Sequence, residues 1–308
     1  MKCEVIKVAP KMSDEKTAKL AGQFLQEDSI DILVTGNCDM YCEETGKTLA
    51  KFRKRAIHPV IQANAYGALL KMAGKYTENR GMAAGFSKDK FEETRKPGEK
   101  AYHKEGSVRF NRIKKDGSVS NTQSAISANS QIMGYMDRNP RFPYCRTTSF
   151  NQEHLDKFNK ALPIIKVVDN LYAELMPKEY GKQRAMADKT DPSWVISDTA
   201  FTTVTVNKNW QTAVHQDKGD YQEGFGNLVA LRAGEFNGGY FVLPKWGVGF
   251  DLQNGDVLLV DVHQWHGNTP IEKQEPGAVR LSLVMYYREK MVNCGSPEEE
   301  LERVKKSR

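Results

Sequence analysis

Residues 12–26 (MSDEKTAKLAGQFLQ) repeat apolar positions at the helical interval, with Ser13 placed to cap the first turn. IDILVTG predicts a short buried strand, and AYGALLKMAGKY a helix. NRGMAAG (79–85) predicts a turn built on glycine conformations. Residues 87–120 are rich in Lys, punctuated by Gly and poorly periodic, which predicts exposed hairpins or a mobile loop. From Glu153 to Met176 the residues Leu155, Phe158, Leu162, Ile165, Val168, Leu171 and Leu175 form a helical face, which Pro163 should kink or divide. After KTDPSW the period changes. FTTVTVN, QTAVHQD, GNLVALR, GYFVLP, VGFDL, DVLLVDVH and RLSLVMYYRE are short runs rich in Val, Thr, Phe and Tyr, cut by Gly, Asn and Pro. Such spacing predicts a β sandwich or barrel, with the helical half buttressing it.

Composition narrows this little. The 308 residues are 39% hydrophobic and 27% charged, typical of a globular chain. No apolar run has the roughly 18–20 residues of a membrane span, and the start has no signal-peptide core, so the expected location is cytoplasmic, in a microbial or phage-infected cell. Five scattered cysteines argue against a disulfide framework and for a reducing compartment; Cys38 and Cys42 read as free thiols. Charge is more informative. Residues 1–150 carry 26 basic and 17 acidic side chains, whereas the remainder carries 19 and 22. A basic half beside an acidic one suggests a polyanionic partner such as nucleic acid.

The candidate chemistry lies in TAVHQDKGD (212–220). His215 and Asp217 are two apart at the end of an expected strand, so both side chains share a face and can share an ion. His263 or His266, in DVHQWHGNTP, could supply a third ligand. Two histidines and a carboxylate with open positions form the facial arrangement of non-haem iron(II) oxygenases. Arg280 and Ser282, also two apart, offer a guanidinium fork beside a hydroxyl, suited to a carboxylate. In jelly-roll dioxygenases that use 2-oxoglutarate, the anchoring arginine follows the distal histidine by somewhat more than ten residues. By that resemblance His266, 14 residues before Arg280, is the ligand. His263, 17 before it, is a packing neighbour or a hydrogen-bond support.

The motifs FTTVTVNKNWQTAVHQDKGD, GDVLLVDVHQWHGNTP and RLSLVMYYR resemble the TET/JBP family of Fe(II)/2-oxoglutarate dioxygenases, which oxidise the 5-methyl group of pyrimidines in DNA. The likeness is strong over Phe201–Arg288 and is closest to thymine hydroxylases of base J synthesis and to small phage and microbial relatives. Neither the cysteine-rich zinc region of the animal enzymes nor the J-base-binding domain has a counterpart in these residues. The resemblance implies an α+β fold with a double-stranded β-helix (jelly-roll, cupin-like) core over residues 196–290. An N-terminal helical and mixed region (1–195) would carry a basic DNA-facing segment and pack on that core, and residues 291–308 would form a charged tail. It implies that His215, Asp217 and His266 hold Fe(II), and that Arg280, with Ser282, anchors the far carboxylate of 2-oxoglutarate, O2 being the other cosubstrate. Arg80 matches an arginine that reaches the cosubstrate. Asp220 and Tyr286 fall where the family contacts and stacks the base.

The expected function is therefore hydroxylation of 5-methylcytosine or thymine in DNA to the 5-hydroxymethyl base. A base stacked in a duplex must be flipped out to reach such a site, and the Lys/Arg-rich stretch 87–115 is the candidate phosphate contact. No membrane and no obligate protein partner is implied. Two other readings use the same residues: a dioxygenase acting on a protein side chain or small molecule, and a non-catalytic jelly-roll binding protein. The sequence leaves the choice between cytosine and thymine open.

Overall fold

The computed structural model describes residues 3–72, 77, 80–85, 100–102, 109–125 and 128–307. In chain order its strands are β1 (Glu4–Val8), β2 (Ile32–Val34), β3 (Cys38–Cys42), β4 (Thr48–Arg53), β5 (Lys100–Tyr102), β6 (Arg109–Ile113), β7 (Val119–Ala125), β8 (Ser130–Met136) and β9 (Arg146–Thr147). There follow β10 (Thr203–Lys208), β11 (Gly226–Ala233), β12 (Phe236–Gly238), β13 (Phe241–Leu243), β14 (Val248–Phe250), β15 (Val257–Val260), β16 (Gly267–Asn268), β17 (Ile271–Lys273) and β18 (Val279–Tyr286). Nine of these form one sheet, in the order β1-β3-β4-β15-β11-β18-β10-β8-β9. A second sheet runs β16-β13-β14-β2. With the helices below, this is a mixed α+β fold.

Strand alternation decides which side chains reach the site. Leu281, Leu283 and Met285 of β18 face a core shared with Val229 and Leu231 of β11, Val257 and Leu259 of β15, and the helices Pro59–Leu69 and Leu155–Leu175. Their neighbours Leu228, Ala230, Leu258 and Val260 face the other way and pack on Phe241, Leu243, Val248 and Phe250 of the second sheet. The period of two thus builds two cores on opposite faces of one sheet. It leaves Arg280, Ser282, Val284 and Tyr286 of β18 lining a cavity between the sheets.

Several expectations change. The helix at 12–26 stops after Asp14–Ala18, although Ser13 caps it as expected. Gly22, at φ 76°, turns the chain away, and its N–H donates to the Val214 carbonyl (2.8 Å). Backbone pairing with the 213–214 segment therefore outweighs local helical preference. QTAVHQD is not a strand; it is extended and joins its neighbours by one bridge, between His215 and His266. IDILVTG is half-exposed at Ile32 and Leu33, because β2 sits at the edge of the second sheet. Pro163 does not divide the helix Leu155–Leu175. It lies on the exposed side, where the unbonded Asn159 carbonyl meets water, while Ile164, Ile165 and Val168 stay buried. Within 87–120 the backbone forms a three-stranded sheet, β5-β6-β7. Residues 86–99 and 103–108, most of the stretch expected to face DNA, lie outside the described residues.

Cys145 and Cys294, 149 residues apart, form a disulfide, although the scatter of cysteines argued against a disulfide framework; Cys38 and Cys42 are free, as expected, and so is Cys3. The bridge is invisible to sequence reading because the fold alone brings the loop after β8 beside the chain following β18. Glu300, in the helix Pro297–Lys306, reinforces that junction. It accepts from the backbone N–H groups of Cys145 (2.7 Å) and Gly295 (2.8 Å) and pairs with Arg138. No helix of the described residues is long and apolar enough to cross a membrane.

Candidate iron centre and adjoining pocket

Backbone pairing brings the distant histidines together. The His215 N–H donates to the His266 carbonyl (2.9 Å), and the His266 N–H returns the bond (3.0 Å). The Asp217 N–H donates to the Val262 carbonyl (3.1 Å). Each imidazole is then oriented from behind: Nδ1 of His215 donates to the Ala213 carbonyl (2.7 Å), and Nδ1 of His266 to the Gln264 carbonyl (2.9 Å). A carbonyl can only accept, so both rings carry their proton on Nδ1 and turn a lone pair at Nε2 inward. Those Nε2 atoms lie 3.5 and 3.7 Å from the two Asp217 carboxylate oxygens. One ligand atom from each residue falls within 4.8 Å of the others. Burial first, then the neighbouring His215, pushes the His266 pKa down to about 4, so this ring is neutral and free to ligate at neutral pH. Two imidazoles and one carboxylate suit non-haem iron(II), and the three residues could hold such an ion.

His263 stands apart from the cluster. Its Nδ1 meets Asp261 (3.1 Å). The buried Asp261 carboxylate also accepts from Gln264 (3.0 Å) and Lys47 (2.7 Å). Gln216, between the two proximal ligands, donates to the His263 carbonyl (2.6 Å) and so ties the two ligand-bearing segments together.

The three residues open into a cavity of about 260 Å³. Arg280 is 4% exposed, and burial, then the nearby Arg232 charge, lowers its pKa to about 10. Its backbone N–H is held by Asn209 (2.7 Å), and its guanidinium has no carboxylate within ion-pair distance among the described residues. Gly239, at φ 68°, passes beside it; a Cβ there would meet the Arg280 Nε at 3.4 Å. Ser282 lines the same wall. Arg80, just before the turn Gly81–Ala84, also lines the cavity, and its buried Nε has no hydrogen-bond partner among the described residues. Two guanidiniums facing one cavity, neither with a carboxylate within ion-pair distance among the described residues, make a cradle for an anionic ligand.

Asp220 and Tyr286 lie at the same cavity, both buried. The Tyr286 hydroxyl is 3.2 Å from that of Thr205. Oδ2 of Asp220 is buried without a partner; burial, then the Asp217 charge, pushes its carboxyl well above the usual range. Sequence reading missed Arg288 beside them. Its backbone pairs with Asp220, and its Nε donates to Asp137 Oδ1 (2.5 Å). Burial opposes the Arg288 charge, but Tyr286, Asp137 and Asp220 outweigh it and raise its pKa. The alternation in RLSLVMYYRE carried the signal, since Arg288 continues the period of two from Arg280, Ser282, Val284 and Tyr286, although β18 itself ends at Tyr286.

Residues 131–289, just over half of the chain, match the oxygenase domain of the 2OGFeDO superfamily, the Tet_JBP family. The chain is 38% identical over 188 residues to thymine dioxygenase JBP1 of Trypanosoma brucei brucei, covering 59% of this chain and 22% of that protein. It is 36% identical over 169 residues to the bifunctional helicase and thymine dioxygenase JBP2 of Leishmania braziliensis, covering 54% of this chain and 15% of that one. The chain thus spans less than a quarter of the length of either relative. Among solved structures, NgTET1 in complex with 5mC DNA shares the fold, with a TM-score of 0.56 at 10% identity, covering 96% of this chain and all of that one. With its matched region carrying the clustered His215, Asp217 and His266, the chain belongs to the Tet/JBP family of 2-oxoglutarate- and Fe(II)-dependent oxygenase domains.

Proposed function

We propose that this protein hydroxylates the 5-methyl group of 5-methylcytosine or thymine in DNA, using Fe(II), 2-oxoglutarate and O2. We further propose that the two facing sheets are the double-stranded β-helix core expected from the sequence. The observation that carries the reading is the single cavity that joins the His215–Asp217–His266 cluster, the unpartnered Arg280 and Arg80, and the buried Asp220 and Tyr286. A methyl C–H offers no acidity, so side-chain acid–base chemistry cannot attack it. Bound Fe(II) with 2-oxoglutarate supplies the dioxygen activation such a bond requires.

The chain's own residues do the positioning. His215 and His266 present lone pairs held by their Nδ1 hydrogen bonds, and Asp217 completes the donor set. Arg280, with Ser282, takes the far carboxylate of 2-oxoglutarate, and Arg80 approaches the cosubstrate from the opposite wall. Tyr286 offers a ring face to the flipped base. The unpartnered Asp220 oxygen accepts from the base edge, which presents an N–H in both thymine and 5-methylcytosine. The activity of the relatives, named thymine dioxygenases, and the methylated DNA bound in the related structure support this choice of substrate.

The test is nucleoside mass spectrometry after incubation with Fe(II), ascorbate and 2-oxoglutarate. Duplexes with and without 5-methylcytosine separate the two substrates. Hydroxymethylcytosine or hydroxymethyluracil is the expected product. Succinate release without a modified base would overturn the assignment to DNA.

A further inference from the structure

Arg288 lines the cavity and is tied to an arginine-bearing segment outside its lining. Its Asp137 partner begins the loop 137–146, which contains Arg138, Arg141 and Arg146. Arg138 is neutralised by Glu300, and Arg288 by Asp137. Arg141 and Arg146 have no carboxylate within ion-pair distance among the described residues. Both guanidiniums lie over the ring of Phe142, with Cζ at 5.2 and 4.2 Å from its centroid. The ring holds the two guanidiniums near one another. The half-buried Arg146 also donates to the Asp137 carbonyl (3.3 Å), and its pKa is lowered, first by burial and then by Arg288 and Arg141, against the opposing influence of Tyr144 and Asp137.

The loop is held firmly. The Asn139 side chain accepts from the N–H groups of Arg141 (3.0 Å) and Phe142 (2.9 Å). Cys145 is bonded to Cys294, and Glu300 grips the Cys145 backbone. Guanidiniums crowded on a rigid loop with too few carboxylates repel one another unless an anion lies among them.

We infer that the loop Arg138–Arg146 binds the DNA sugar–phosphate backbone, with Arg141 and Arg146 clamping a phosphate near the nucleotide whose base enters the cavity. This inference rests on the substrate reading above, because a flipped nucleotide carries its phosphates to the rim beside Arg288. Bidentate guanidinium–phosphate pairing is the chemistry that fits.

The test is the salt dependence of binding to a short duplex oligonucleotide containing 5-methylcytosine, measured by fluorescence anisotropy. Each phosphate contact contributes about 0.9 to the slope of log K against log salt. Arg141→Gln with Arg146→Gln should reduce the slope by about 0.9, the contribution of one phosphate, and Arg141→Gln alone by part of that. Arg141→Lys should restore it, since the charge is retained. Arg141 is exposed, so its variants should keep the parent melting temperature. A double variant with the parent slope, in a protein that oxidises DNA, would overturn the phosphate clamp and leave the substrate reading standing. A parent with no salt-dependent DNA binding would overturn both.

Discussion

Asp217 is the one carboxylate between two imidazoles, and each imidazole has a separate support. Replacing His215 with Ala removes a donor without disturbing a core, because the side chain sits at the cavity wall. Isothermal titration with Fe(II) under anaerobic conditions should show affinity reduced by more than about 100-fold, with the far-UV circular dichroism of the parent retained. Arg280→Ala should raise the 2-oxoglutarate KM by about 10- to 150-fold, the range expected for losing a hydrogen bond to a charged group. A KM within a factor of two of the parent would remove Arg280 from the cosubstrate site. Most of this was legible in sequence, because H-x-D and R-x-S place paired side chains on one face by strand geometry alone. The pairing of Arg288 was not legible. Its role depends on Asp137, 151 residues earlier, and no local spacing links the two.

At the scale of elements, the junction between loop 137–146 and the helix Pro297–Lys306 rests on the Cys145–Cys294 bridge and on Glu300. Cys294→Ser should lower stability by about 2–4 kcal/mol, read from chemical denaturation, since the bridge closes a long loop. Glu300→Gln leaves Arg138 without its charge partner and weakens two backbone bonds. It should cost about 1–3 kcal/mol in the same measurement. Wild-type stability in both variants would show that the junction contributes nothing. The helix Leu155–Leu175 was readable from its spacing, yet its passage through Pro163 was not. Whether proline breaks a helix depends on what its freed carbonyl meets, and that is a question of exposure.

Across the whole molecule, stability should respond to acid through Asp261. Burial alone would raise its carboxyl, but His263, Lys47 and Gln264 outweigh burial and hold it far below the usual range. A carboxyl depressed in the folded state stabilises the fold above its unfolded pKa of about 3.9 and loses that contribution as pH falls further. Urea midpoints should therefore fall as the pH drops from about 5 to about 3. Asp261→Asn should flatten this dependence while lowering stability at neutral pH. An unchanged acid profile in the variant would show that the group does not govern it. Asp261 also anchors the turn that carries His266, so acid loosening of the fold and of the metal site should proceed together.

Sequence by itself determined the strand-rich C-terminal half, the long helix before it, and the H-x-D, His and R-x-S spacing. These follow from periods of two and 3.6 residues and from the donor preferences of a metal, all local properties. Family resemblance had chosen His266 over His263 and set Arg80 near the cosubstrate, and the structure places His266 beside Asp217 and Arg80 on the same cavity; only the tertiary structure decided that β1, β3 and β4 continue the sheet carrying β18. It alone paired Cys145 with Cys294 and Arg288 with Asp137. Each of these joins residues far apart in the chain, and the energy that selects them comes from burial and pairing across the fold rather than from the preferences of neighbouring residues.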